Sequence, residues 1–314
     1  MTIKQIYLPT IISDEELDSI KGEFIDDGYI LHEINYDADI YDEYTKKFIC
    51  SFRKKRLKKT KIGFDSFKHL AIAARGRGAS AGTIDPNSKY WSKRTLIKQK
   101  KWATHYLKKD GTPSKMNINT PVLSTPIGFI EGTTSLGLDL PCRLTHYTTK
   151  YLQDYEQGKE FINEINKWYK YIRPQEHKIQ LDRANLKKDF KIDTTAFSTV
   201  TINRNFRTAL HKDANDYGGI AALTVNEYGT YRGGLFLIPK YGVGINIREG
   251  DILIADVHNY HANTEIWTNK EDDIYNNSLP KIYKKSKQGI VGDDRDYARI
   301  SYVCYLRNKL IDCQ

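Results

Sequence analysis

From residue 194 onward the chain breaks into short runs in which apolar and polar positions alternate. FSTVTINRNF, IAALTVNEY, GGLFLIPKYG, GINIREGDILIAD and ARISYVCYLR are β-branched or aromatic, and Gly, Asn and Asp separate them. That pattern predicts an all-β sandwich or jelly roll with its core at about 194–310. Upstream the period lengthens. Phe161, Ile165, Trp168, Tyr169 and Ile172 recur at three- and four-residue steps, which predicts a helix over 154–172. Residues 13–28 carry a second helical pattern, capped by Ser13 with Glu16 three positions later and with Leu17, Ile20 and Phe24 on one face. The basic stretch 44–59 reads as a further helix. The segment AARGRGASAGTIDP (73–86) reads as a shaped loop, and 110–142, with its Pro and Gly, as loops and short strands. Residues 269–296 read as a long polar loop interrupting the sheet. The expected organisation is a helical, basic extension over 1–70 followed by one domain over 71–314.

Composition sharpens this in three ways. The 314 residues are 39% hydrophobic and 12% aromatic, enough for a substantial core. No apolar run approaches the roughly 20 residues that span a bilayer, so no membrane partner is expected. The N-terminus lacks the charged start and long apolar stretch of a secretory signal. Cys50, Cys142, Cys304 and Cys313 show no CxxC spacing, which favours an intracellular chain with free thiols over a disulfide or zinc site. The net charge of +10 is unevenly spread. Residues 14–43 are acidic, whereas 46–109 are basic, with FRKKRLKKTK at 52–61 and KRTLIKQKK at 93–101. Phe52, Phe64, Phe67, Tyr90, Trp91, Trp102 and Tyr106 lie among those charges. Basic runs with interleaved aromatics suit a protein that tracks phosphates and stacks on bases, so nucleic acid is the expected partner. A lysine-rich run alone is more often a solvated helix face.

The candidate chemistry begins at His211-Lys-Asp213. On extended chain, residues two apart point to one side. Downstream come Gly233-Gly234, Gly250-Asp251, the stretch DVHNYHANT with His258 and His261, and Arg299-Ile-Ser301. Two imidazoles and one carboxylate can cap one face of Fe(II) and leave the opposite face open. His261 is preferred over His258 as the third ligand because it lies farther past the ILIAD strand, where the chain turns back. His258 then becomes a supporting or substrate-contacting residue. Arg299, on an apolar strand, needs a carboxylate partner. A dicarboxylate co-substrate meets that need, and so does an internal Asp or Glu.

The ordered set HxD, GG, GD, H and RxS resembles the 2-oxoglutarate and Fe(II)-dependent dioxygenases, and within them the TET and J-base-binding-protein branch. AARGRGASAG (73–82), NTPVLSTPIGFIEG (119–132), LPCRLTHYT (140–148) and TAFSTVTINRNFRTALHKDAND (195–216) look like microbial and viral members of that branch. The resemblance covers roughly 70–310. It implies a double-stranded β-helix (jelly roll, cupin-like) with flanking helices. His211, Asp213 and His261 would hold Fe(II). Arg299 and Ser301 would hold 2-oxoglutarate, with Arg207 or Arg204 reaching it as well, and O2 would be the second co-substrate. Asp216, three positions past the ligand aspartate, would face the target base, with Asn215 able to exchange roles. A carboxylate accepts from the exocyclic amine of cytosine, which favours 5-methylcytosine over thymine. Arg75 and Arg77, on their glycine frame, would hold phosphates or the co-substrate. Phe236 stands where some animal members carry histidine.

The expected function is hydroxylation of the C5 methyl of a methylated pyrimidine in nucleic acid, 5-methylcytosine to 5-hydroxymethylcytosine in DNA. The alternatives are a thymine hydroxylase, a hydroxylase of protein or small molecules, and a DNA-binding module with an inactive jelly roll. The enzyme is expected to be a monomer, virus- or phage-encoded and acting in the host cell.

Overall fold

The computed structural model describes residues 3–68, 73–74, 80, 105–107, 113–117, 122–135, 138–214, 216–280 and 295–313. Among them one large sheet runs, in spatial order, Lys4–Leu8, Ala38–Asp42, Phe48–Arg53, Ile252–Asp256, Ile220–Tyr228, Ala298–Tyr305, Thr199–Arg204, Val122–Ile130, Arg143–Leu144. A smaller sheet of Ala262–Asn263, Phe236–Ile238, Val243–Ile245 and His32–Ile34 accompanies it.

The period-two pattern sorts the large sheet's side chains into two cores. Val200, Ile202, Ala222, Ile254, Ile300, Tyr302 and Cys304 pack with Phe67, Phe161, Ile165 and Tyr169 of the helices Thr60–Phe67 and Leu152–Ile172. Leu223, Val225, Leu253 and Tyr305 pack with Phe236, Ile238, Val243 and Ile245 of the small sheet. This is the expected jelly roll with helices on one sheet. A cavity opens on the inter-sheet side, where Thr201, Asn203, Arg299 and Ser301 interrupt the apolar lining.

Three expectations about local structure change. The helix expected over 44–59 is the strand Phe48–Arg53, paired with Ile252–Asp256 so that Phe52 stands opposite Leu253. FICSF is β-branched and aromatic, and Ile49, Cys50 and Phe52 are fully buried, so packing decides over the basic residues that follow. Strands from the first 53 residues thus form part of both sheets rather than a helical appendage. The first helix is only Asp14–Ser19. Its capping box is present, with Ser13 N–H donating to Glu16 at 2.9 Å and Glu16 N–H to Ser13 Oγ at 3.2 Å. The chain leaves the helix before Gly22 (φ 86°), so Phe24 lies outside it. Within the expected polar loop, Lys270–Ser278 is a helix capped by Asn269.

The basic run 52–61 is largely consumed by the fold. Arg53 donates to the Ala38 and Phe52 carbonyls, each at 2.9 Å, and to Asp39 at 2.8 Å. Arg56 pairs with Asp37, Lys59 with Glu160, and Lys61 with Asp65. Phe52 and Phe67 are core residues, one in each core, and Phe64 packs against the core that holds Phe67. The second basic run (93–101), Tyr90, Trp91 and Trp102 lie outside the described residues. The expectation of free thiols fails for one pair: Cys142 and Cys313 form a disulfide, Cα–Cα 5.7 Å, across 171 residues of sequence. Local spacing says nothing about a pairing that only the fold creates. Cys50 and Cys304 are free and buried. No described helix is long and apolar enough to cross a membrane.

Candidate metal centre

His211 and Asp213 follow the strand Thr199–Arg204, and His261 follows Ile252–Asp256. The two stretches meet in an isolated antiparallel bridge. His211 N–H donates to the His261 carbonyl at 3.0 Å, and His261 N–H returns the bond at 2.9 Å. The Asp213 N–H is fixed by the Val257 carbonyl at 3.1 Å. This backbone pairing brings the two rings together, their centroids 4.3 Å apart.

The tautomers follow from the partners. His211 Nδ1 sits 2.7 Å from the Ala209 carbonyl and His261 Nδ1 2.9 Å from that of Asn259. A carbonyl only accepts, so each Nδ1 carries a proton and Nε2 is the ring atom left to bind a metal. Both Nε2 atoms face the Asp213 carboxylate, each at 3.6 Å. The three ligand atoms lie within 4.8 Å of one another. Burial, aided by the neighbouring His261, pushes the His211 imidazole down to about 4, so it is neutral, as a metal ligand must be. His258 is exposed and outside this cluster, its N–H donating to Asp256 at 3.0 Å. Lys212 turns away, over the Tyr260 ring.

The cluster borders a cavity of about 190 Å³ that Arg299 and Ser301 also line. Arg299 is 4% exposed, and its Nε has no hydrogen-bond partner among the described residues. Burial lowers its pKa, and the Tyr231 hydroxyl beside it opposes that shift. A buried guanidinium with an unmet donor that lines a cavity can receive a carboxylate there.

The Tet_JBP family profile, the oxygenase domain of the 2OGFeDO superfamily, matches residues 130–308, more than half of the sequence. The chain belongs to that family. It is 33% identical over 172 residues to the bifunctional helicase and thymine dioxygenase JBP2 of Trypanosoma cruzi, covering 54% of this chain and 13% of that protein. It is 30% identical over 153 residues to the thymine dioxygenase JBP1 of Trypanosoma brucei brucei, covering 48% of this chain and 18% of the relative. The chain therefore matches a small part of these relatives' length. The solved structure of NgTET1 in complex with 5mC DNA shares the fold, with a TM-score of 0.50 at 10% identity over 94% of this chain and 83% of the other.

This Tet_JBP domain fits the groups its superfamily uses. Two imidazole Nε2 atoms and one carboxylate suit Fe(II), and the orphaned Arg299 Nε suits the far carboxylate of 2-oxoglutarate. Of the Gly-Gly pair, Gly234 packs against Arg299 and Gly233 against the Glu265 backbone. Gly233 and Gly234 take φ of 69° and 70°. A Cβ on Gly233 would stand 2.0 Å from the Glu265 carbonyl oxygen, and one on Gly234 3.3 Å from Arg299 Cδ and Nε. Gly-Asp serves the scaffold instead. Asp251 is fully buried and accepts from the N–H groups of Lys55 at 2.9 Å and Arg248 at 3.0 Å.

Other expected residues divide. Asp216 lines the cavity, 7% exposed, opposite Arg307. Burial, then the charge of Asp213, pushes its carboxyl up to about 8, while Arg307 opposes the shift. Phe236 stacks on His261 with centroids 5.3 Å apart, as an apolar wall. Arg207, expected to hold the co-substrate, instead pairs with Asp26 at 2.6 Å and covers the Phe24 ring. Neither Arg207 nor Arg204 lines the cavity. Arg75, Arg77 and Asn215 lie outside the described residues, though Ser80 of the Gly-rich segment reaches the cavity wall. Sequence reasoning missed Ser124, Thr201, Asn203, Tyr305 and Arg307, which also line it. For Thr201 and Asn203 the signal was the polar half of the strand's alternation, which reads as solvent-facing until a second sheet covers it.

Proposed function

We propose that this chain hydroxylates the C5 methyl of a methylated pyrimidine in nucleic acid, using Fe(II), 2-oxoglutarate and O2. The observation that carries the reading is the convergence of His211, Asp213 and His261 on a cavity that Arg299 also lines, its Nε without a hydrogen-bond partner among the described residues. When bound, iron and 2-oxoglutarate supply oxygen activation, one oxygen atom ending in the hydroxymethyl group and the other in succinate as CO2 leaves.

The chain's own groups do the rest. His211 and His261, locked by backbone carbonyls, present Nε2 without rotational freedom, so little ordering is needed on binding. Arg299 and Ser301 fix the co-substrate's far end. Phe236 keeps water from one side of His261. Asp216 and Arg307 supply polar contacts for the base edge. A methyl group inside a duplex cannot reach this cavity, so the base must leave the stack or arrive on a single strand.

The finer reading is 5-methylcytosine in DNA. Asp216 supports it, because a carboxyl oxygen accepts from the cytosine N4 amine. Thymine is the second reading, favoured by two observations. The matched relatives carry the name thymine dioxygenase. The raised Asp216 carboxyl, when protonated, can also donate to thymine O4.

Mass spectrometry of nucleosides after incubation with Fe(II), 2-oxoglutarate and DNA containing either base decides between them. Succinate release indifferent to DNA would point to another substrate class. Tight, salt-sensitive DNA binding without turnover would point to an inactive module. His261→Ala is expected to abolish Mn(II) binding and His258→Ala to retain it; the opposite pattern would overturn the ligand assignment.

A further inference from the structure

Ser124, Asn203 and Ser301 lie on three adjacent strands, Asn203 opposite Ser301 on one side and opposite Ser124 on the other. All three line the cavity beside Arg299. Ser124 is fully buried and Asn203 is 8% exposed. Ser124 Oγ donates to Asn203 Oδ1, and Asn203 Nδ2 donates to Ser301 Oγ at 3.4 Å. The three groups form one directed row of hydrogen bonds.

Direction is what matters. A hydroxyl that accepts from an amide still has its own proton to give. The row therefore leaves Ser301 O–H available to the cavity, next to the Arg299 guanidinium. With the amide reversed, Asn203 would take the Ser301 proton and turn the hydroxyl's lone pairs on the cavity, where they repel an anion. Bonds aligned in one direction also polarise one another and strengthen the terminal donor.

We propose that Asn203 is a positioning residue, held by Ser124, that fixes Ser301 as a hydrogen-bond donor to the carboxylate received by Arg299. This rests on the assignment of 2-oxoglutarate to that cavity. Asn203 acts through Ser301, so removing both should cost no more than removing Ser301 alone.

The test is calorimetric titration of 2-oxoglutarate into the full chain loaded with Mn(II), for the parent, Ser301→Ala, Asn203→Ala and the double variant. Ser301→Ala is expected to weaken binding about 10-fold, the size of one charge-assisted hydrogen bond. Asn203→Ala should weaken it roughly 3- to 10-fold, with the double variant no weaker than Ser301→Ala. Affinity for Mn(II) alone, read by electron paramagnetic resonance, should stay within about twofold of the parent for every variant. If Asn203→Ala does not fold, the isosteric Asn203→Asp takes its place. Its carboxylate would capture the Ser301 proton and repel the ligand, and a loss of about 100-fold is expected. Effects of Asn203 and Ser301 that multiply, or an Asn203→Asp variant with parental affinity, overturn the positioning role. A parent that binds Mn(II) but not 2-oxoglutarate overturns the functional reading as well.

Discussion

Replacing Arg299 with methionine separates a receptor from a structural ion pair. Arg299 is 4% exposed, its Nε has no hydrogen-bond partner among the described residues, and the Tyr231 hydroxyl and the Glu227 charge act on it. Methionine keeps most of the stem's packing and removes the charge. Removing the orphaned donor recovers about 1–3 kcal/mol, and losing the Tyr231 hydrogen bond costs about 1 kcal/mol. The metal-free protein should therefore melt at the parental temperature or slightly above it. Ligand binding should move the other way. Truncating one side of a buried charge pair costs about 2–5 kcal/mol, a rise in Kd of about 30- to 4,000-fold for 2-oxoglutarate. Arg299→Lys should recover only part of this, because an ammonium cannot offer two parallel donors. The assays are differential scanning fluorimetry without ligand and calorimetric titration of the Mn(II)-loaded protein. An Arg299→Met variant that melts well below the parent yet binds 2-oxoglutarate within threefold would refute the reasoning. Arg299 would then belong to the Tyr231–Glu227 network alone.

Two further outcomes follow from buried carboxyls. Asp251→Ala strips partners from the N–H groups of Lys55 and Arg248, and should destabilise the fold by about 2–4 kcal/mol in urea unfolding while Mn(II) affinity is kept; unchanged stability would remove Asp251 from the scaffold. Asp216 is raised from 3.8 to about 8 in the metal-free fold, so the unfolded chain releases its proton first and stability falls as pH rises across that window. Asp216→Asn should flatten the fall, and parallel pH profiles for the two proteins would show that its carboxyl is not the group responsible.

What could be read from sequence was set by how replaceable each side chain's job is. No other residue types supply two imidazoles and a carboxylate at one point, so His211, Asp213 and His261 stood out before any contact was known. Strand parity was equally open: in ARISYVCY the even positions are apolar, and Ile300, Tyr302 and Cys304 do face the helices. That parity sends Arg299 and Ser301 to the other side, into the cavity.

Arginines and lysines were less legible, because one cation serves a phosphate, a carboxylate or a carbonyl equally well. Arg53 and Arg56 read as a nucleic-acid surface, yet the fold brings Asp39 and Asp37 to them. Arg207 and Arg299 looked alike as co-substrate ligands. Only tertiary packing decides that Asp26 neutralises the first while the second lines the cavity. The same logic explains why the polar row of Ser124 and Asn203 escaped notice: small polar residues alternating along a strand signify solvent or a lined cavity, and the covering sheet distinguishes them. Specificity for the base is therefore expected to reside in residues whose type is common and whose direction is rare, Asp216 and Arg307 foremost. Exchanging residues within that pair should alter base preference before it alters iron binding, because neither belongs to the three-residue ligand cluster.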